Sequence, residues 1–300
     1  MLRATSRSFD SGVSVKAYRL LMIGLVFVCA TAQAIIMRHD VPEDKYRIDP
    51  SEFPALVDLP VEGQGVLIAP AWVVTLASEI DGKDIQEVTI NGKPRAVARI
   101  VIHPGYKPTP KELYTGDANP LLLFERDLDD IAMIELKEPI TDVVPALLYR
   151  GQDERNEVAE IIGKGAAGNG LIGEYSNSPH RSELRRAYTR IESAEGHWVK
   201  LQFHSKREAL PLEGAPGNGD EGGPVLIKVH GQWTVCAIMW RLYAVGPLIN
   251  YRYFVYDDET YNTRMSYYAP WIDNVMTEQA DSGATPSATA GQAPADGHAP

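Results

Sequence analysis

Between Val66 and Ile102 the chain alternates short apolar runs with turn-forming residues: Val66-Leu67-Ile68, Trp72-Val73-Val74-Thr75, Val88-Thr89-Ile90 and Ala96 to Ile102. Runs this short do not make helices. Asn91-Gly92, between two of them, is a hairpin signal, because a tight two-residue turn of the favoured twist needs left-handed backbone at both positions. The segment therefore reads as antiparallel sheet. Further candidate strands follow at Ile131 to Leu136, Val158 to Ile162, Trp198 to Phe203, Val225 to Val229 and Trp233 to Met239. Many short strands without a sustained 3.6-residue period favour an all-β barrel or sandwich.

Three stretches rich in Gly, Pro or Asn lack strand character and read as loops: Gly105 to Pro120, Gly163 to Glu183 and Leu210 to Gly223. Only Ala269 to Met276 suggests a helix, with Trp271, Ile272, Val275 and Met276 on one face. From Thr277 to Pro300 the residues are small or polar with almost no large side chain to bury, so a disordered tail is expected there. Gly163 to Gly168 fits the spacing of a dinucleotide-binding fingerprint, but no helical period follows it, and the match reads as accidental.

At the other end, Arg3, Arg7, Lys16 and Arg19 precede an apolar core from Leu20 to Ala30 and a small-x-small site at Ala32-Gln33-Ala34. This order of features reads as an export signal over residues 1–34, cleaved after Ala34. The mature protein is then expected to be secreted or periplasmic. The apolar run is shorter than the roughly 20 residues of a membrane span, so an uncleaved anchor is the second reading. Cleavage removes Cys29 and leaves Cys236 alone, in an apolar run where a buried, inert thiol is expected. A formal charge of −11 opposes binding to nucleic acid and to anionic membranes. The seven histidines show no metal-ligand spacing, and no cofactor is expected.

Three segments in order carry a resemblance. Trp72-Val73-Val74-Thr75-Leu76-Ala77-Ser78 is similar to the W-V-L-T-A-A-H element of the trypsin-like serine proteases. Asp129-Asp130-Ile131-Ala132-Met133-Ile134-Glu135-Leu136 resembles their D-I-A-L-I-x-L strand, and Gly219-Asp220-Glu221-Gly222-Gly223-Pro224 resembles G-D-S-G-G-P. The gaps from Ser78 to Asp130 and on to Glu221 are 52 and 91 residues, against about 45 and 93 in the template triad. Minor matches include Gly65 to Pro70, His103-Pro104-Gly105-Tyr106, Gly231-Gln232-Trp233 and Tyr268 to Ile272. The resemblance covers about residues 35–276. It implies two antiparallel β-barrels, at about 35–140 and 141–276, with an active cleft between them.

It also implies what is missing. Ser78 stands where the family's catalytic His belongs and Glu221 where its nucleophilic Ser belongs, so of the triad only Asp130 is kept. Ser78 has no pKa near neutrality with which to shuttle a proton, and Glu221 offers a carboxylate in place of an activated hydroxyl. The amides of Gly219 and Glu221 match the oxyanion hole, which the Glu221 side chain is positioned to fill. Ala215 stands at the specificity position and brings no charge. Trp240 and Arg241 match a segment beside the substrate groove only to within one residue. Cleavage after Ala34 would expose Ile35, whose amine the resemblance pairs with Asp220; the alternative is that Asp220 caps nearby backbone amides. The functional expectation is a non-catalytic homologue that binds protein or peptide. Two alternatives stand beside it: an active protease using another Ser and His, with His39 and His103 nearest in sequence, and an enzyme using Asp130 and Glu221 as an acid and base pair.

Overall fold

The computed structural model describes residues 35–176, 178, 180–181, 183–243 and 254–282, without the side chains of 241–243 and 279–282. The expected export signal and the tail beyond residue 282 lie outside these. The described chain opens with β1 (Ile35–Met37), followed by β2 (Leu56–Asp58), β3 (Gln64–Ala69), β4 (Trp72–Thr75), β5 (Glu87–Ile90) and β6 (Lys93–Ile102). Next come α1 (Ala118–Arg126) and β7 (Ala132–Leu136). Strands β2-β3-β4-β7-β6-β5 close into an antiparallel barrel. The turn from β5 to β6 is Asn91-Gly92, with φ of 51° and 69°, the left-handed pair that the dipeptide requires. Val57, Leu67, Val73, Ile90 and Ile134 fill the interior and are fully buried.

The second half contains β8 (Leu147–Leu148), β9 (Val158–Gly163), β10 (Ala167–Asn169), β11 (Gly173–Glu174), β12 (Arg185–Glu195) and β13 (Trp198–Gln202). It continues through β14 (Gly214–Ala215), β15 (Pro224–Val229), β16 (Gln232–Tyr243) and β17 (Glu259–Arg264) to α2 (Met265–Ser282). Strands β15-β9-β12-β13-β17-β16 form a second six-stranded ring, closed where β15 pairs with β16. Along β12 the side chains alternate, and Ala187, Thr189 and Ile191 point inward, the period of two expected of a strand with one wet face. Each fully buried aliphatic such as Ile161 or Ile191 contributes about 1.5–3 kcal/mol. Cys236 is buried there too, its thiol pushed up by burial, as expected of an inert cysteine.

A third cluster joins the barrels: Trp72, Val74, Ile131 and Met133 from the first meet Trp198, Leu226, Ile238 and Trp240 from the second, under Tyr268 and Ile272 of α2. The backbone is tied across the same seam, where Thr263 Oγ1 donates to the Asp130 carbonyl at 3.2 Å.

Several expectations need correcting. Residue 35 does not begin the first barrel: β1 pairs with β10 and β14, both from the second half. Two of the three loops contain short strands, β10 and β11 in Gly163 to Glu183 and β14 in Leu210 to Gly223, where β1 pairs with both β10 and β14. The stretch before residue 120 runs into α1, whose Asp117 cap accepts from the Asn119 amide at 2.8 Å and whose Pro120 falls in the first turn, where its missing N–H is harmless. The final helix is longer than Ala269 to Met276 at both ends, so residues 277–282, expected in the tail, continue it.

Candidate functional site

Ser78 follows β4 and Asp130 precedes β7, and the pairing of these strands brings the two together: the Ser78 amide donates to Asp130 Oδ1 at 2.8 Å. Asp130 is only 2% exposed. Its other oxygen, Oδ2, accepts from the Trp240 indole N–H at 2.6 Å. Trp240 sits at a register shift between Met239 and Arg241 of β16, at the end of a run that is buried without alternation from Thr234 onward. The indole thus occupies the acceptor by which a triad Asp orients its imidazole.

Glu221 lies in the turn before β15. That turn is shaped by Gly219 and Gly222, with φ of 90° and 80°. A Cβ on Gly222 would fall 2.0 Å from the Gln64 carbonyl oxygen, so no other residue fits. The Gly219 amide donates to Glu221 Oε2 at 2.6 Å, and the same carboxyl leans on its own backbone amide. These are the two amides that the resemblance assigns to the oxyanion hole. Burial, with Glu79 and Asp220 nearby, pushes the Glu221 carboxyl up to about 8.

Asp220 is fully buried and accepts from the amides of Gly165 (2.6 Å) and Gly217 (2.9 Å) and from Gln64 Nε2 (3.2 Å). In the chain with residue 34 still attached, its partners are therefore the local amides of the second reading. Burial raises its pKa to about 6 against the pull of those donors.

Ser78 and Glu221 line one cleft of about 580 Å³. One wall comes from the first barrel and α1 (Leu76, Leu121, Leu122), the other from the second barrel (Met239, Trp240, Asn262). Asp130 lies behind the wall, where it holds the Ser78 amide and the Trp240 indole. Ala215 packs in the core with Ile36, Phe203 and Phe254, and the cleft is lined by Pro216, Gly217 and Thr260 in its place. The side chain of Arg241 lies outside the described residues.

The sequence matches no protein-family model and no curated protein. A structural comparison gives neuropsin, a serine protease expressed in the limbic system of mouse brain: TM-score 0.56 at 17% identity, over 77% of this chain and 98% of that one. The fold is trypsin-like.

Within this trypsin-like fold three of the histidines sit as follows. His103 lies 3.4 Å from Asp129 beneath α2, ringed by Tyr268 and Trp271. His39 is exposed against the Tyr256 hydroxyl at 2.8 Å, and His180 pairs with Glu62. Among the described residues none of the three is hydrogen-bonded to a serine or threonine. Sequence reasoning missed Trp240 as the partner of Asp130, and missed α1, although Asp117 followed by Leu121, Leu122 and Phe124 was a usable cap-and-apolar signal.

The raised carboxyls set a pH dependence. A group that holds its proton more tightly in the folded chain than in the unfolded one weakens the fold as pH rises between its two pKa values. For Asp220 that window runs from 3.8 to about 6, and for Glu221 from 4.5 to about 8. Stability followed by urea midpoint should therefore fall between pH 5 and pH 8, by up to about 1.4 kcal/mol per unit for each group within its window. Glu221→Gln should flatten the part above pH 6. A profile that rises over this range, or one the substitution leaves unchanged, would contradict the assignment.

Proposed function

We propose that this chain is an exported, non-catalytic relative of the trypsin-like serine proteases that binds a protein or peptide in the cleft between its barrels. The observation that carries the reading is the Gly219 amide donating to Glu221 Oε2 at 2.6 Å. Acyl transfer needs free donors aimed at the developing oxyanion and a hydroxyl activated by a neighbouring base. Here a donor is engaged within the protein, the nucleophile position holds a carboxyl, and the base position holds Ser78. An intact cleft with apolar walls remains. The purified protein should neither hydrolyse casein nor react with a fluorophosphonate. Rapid hydrolysis, abolished by replacing some other serine, would overturn the reading in favour of an active protease.

The export half of the proposal draws on Ile35. This buried, β-branched residue has φ of +68°, a conformation in which its Cβ crowds the backbone. Once the bond to Ala34 is cut, φ is no longer constrained by a preceding carbonyl. The free ammonium would also bring a cation to the neighbourhood of Asp220, whose burial without one raises its pKa. Mass spectrometry of the exported protein should find Ile-Ile-Met-Arg at the N-terminus. A start several residues away would remove the ion pair from the proposal and leave the cleft as it is.

A further inference from the structure

The sequence contains three Asn-Gly pairs, at Asn91, Asn169 and Asn218. In such a pair the side-chain amide lies one residue before a backbone nitrogen that no Cβ screens, so the nitrogen can close on the amide carbon. What holds the two groups decides whether it does, and the fold treats the three pairs differently.

Two are held. The Gly170 amide donates to the Met37 carbonyl at 3.0 Å, while Asn169 Oδ1 accepts from the Leu171 amide at 3.0 Å and Nδ2 donates to the Tyr175 hydroxyl at 3.2 Å. The Gly219 amide donates to Glu221 Oε2 at 2.6 Å, and Asn218 Nδ2 donates to Glu174 Oε2 at 2.7 Å. In both pairs the attacking nitrogen and the side-chain amide are each engaged. The third pair is open. Asn91 and Gly92 are the exposed turn residues between β5 and β6. Among the described residues neither the Asn91 side chain nor the Gly92 amide is hydrogen-bonded. A Cβ placed on Gly92 would meet nothing within 4 Å, so no distant part of the chain packs against the turn there.

We infer that Asn91 is a modification site, at which the backbone converts spontaneously to isoaspartate and weakens the closure of the first barrel. The Gly92 nitrogen attacks Asn91 Cγ; the new C–N bond forms, the Cγ–Nδ2 bond breaks, and ammonia leaves with the proton of the Gly92 amide. Water then opens the cyclic imide. Opening at the former backbone carbonyl routes the main chain through the side chain and gives isoaspartate, whereas opening at Cγ gives aspartate. Position gives the change its consequence. The hairpin matches its strands through left-handed backbone at both turn residues, with φ of 51° and 69°, and isoaspartate inserts a methylene into the main chain between them. Strand β5 joins β2 through two residue pairs, Val57 with Ile90 and Asp58 with Thr89, and Ile90 directly precedes Asn91. An altered turn therefore acts on the shortest seam of that barrel.

Peptide mapping by mass spectrometry, with electron-transfer fragmentation to separate isoaspartate from aspartate, tests this on the purified full chain held for weeks in neutral buffer. Deamidation at Asn91 should run at least about tenfold faster than at Asn169 or Asn218, because those amides must first leave their hydrogen bonds. In urea the three rates should converge. Asn91→Gly keeps a dipeptide that the turn accepts and removes the amide. Aged wild-type protein should then unfold at a lower urea midpoint than fresh protein, a loss that the variant does not show. Equal native rates at the three sites, or an Asn91 that stays intact, would overturn the assignment. Modification of Asn91 with an unchanged midpoint would overturn its effect on the barrel. The mapping needs no substitution, so the site is tested even where Asn91→Gly fails to fold.

Discussion

Replacing Ser78 by His and Glu221 by Ser together should leave fluorophosphonate labelling at background, whereas adding Trp240→Phe should raise it by about three orders of magnitude or more. The double change restores the residue types but not the geometry. An imidazole at position 78 needs Asp130 Oδ2 to fix its tautomer, and that oxygen already takes the Trp240 indole N–H at 2.6 Å. Phenylalanine keeps the ring in the cluster between the barrels and removes the donor. Glu221→Ser acts at the other end by releasing the Gly219 amide for an incoming oxyanion. The three changes are coupled, so any two should fall far short of all three. Labelling of the double variant equal to that of the triple would show that Trp240 is no obstacle. A triple variant that labels as well with Asp130→Asn would show that Asp130 orients nothing. Circular dichroism of Trp240→Phe alone separates misfolding from either result.

Arg264→Met should cost about 3–5 kcal/mol, the usual penalty for breaking one side of a buried ion pair. Arg264 meets Glu154 through two parallel bonds, Nε to Oε1 at 2.8 Å and Nη2 to Oε2 at 2.7 Å. Glu154 is completely buried, with the Ser266 hydroxyl as a further donor at 2.9 Å. Methionine fills most of the space and strands the carboxylate. Against a typical total of about 5–15 kcal/mol this is a large share, and urea denaturation at pH 7 would read it directly. Adding Glu154→Gln should recover at least half, because the neutral amide leaves no stranded charge. A single-variant loss below about 1 kcal/mol would mean that Glu154 finds water or protonates at little cost. Arg264 ends the strand that carries Asn262 and Thr263, so the loss should loosen the cleft as well as the fold.

Most barrel strands were legible in sequence because they carry their own evidence, such as a continuous apolar run in β7 and a left-handed dipeptide between β5 and β6, whereas β2, β12 and β17 were not read as strands, although β12 alternates. The spacing of Ser78, Asp130 and Glu221 was legible because motif order survives where the chemistry does not. What could not be read were contacts fixed by tertiary position alone. Trp240 reaches Asp130 from a register shift in β16, and no local pattern signals such a shift. Asn262 looks like any strand residue until its amide is seen to bond carbonyls on two sides. The strands β1, β10 and β14 are too short to show a period, and they exist because β1, distant in sequence from both, pairs with β10 on one side and β14 on the other. In α1 the Gly- and Pro-rich approach masked a capped amphipathic turn.

The closure of both barrels has a consequence for behaviour at high concentration. Each strand of the two rings is bonded on both sides, and β15 seals the second by pairing with β9 and β16 together. An open sheet presents a row of unpaired amides and carbonyls on which a neighbouring molecule can template itself, the first step towards fibrils. These rings present no such row. Self-association by strand exchange would first have to open a ring, and the shortest seams are the two-residue pairings of β15 with β9 and of β2 with β5. Aggregation should therefore follow unfolding rather than precede it, and concentrated native samples should remain clear until the thermal transition begins.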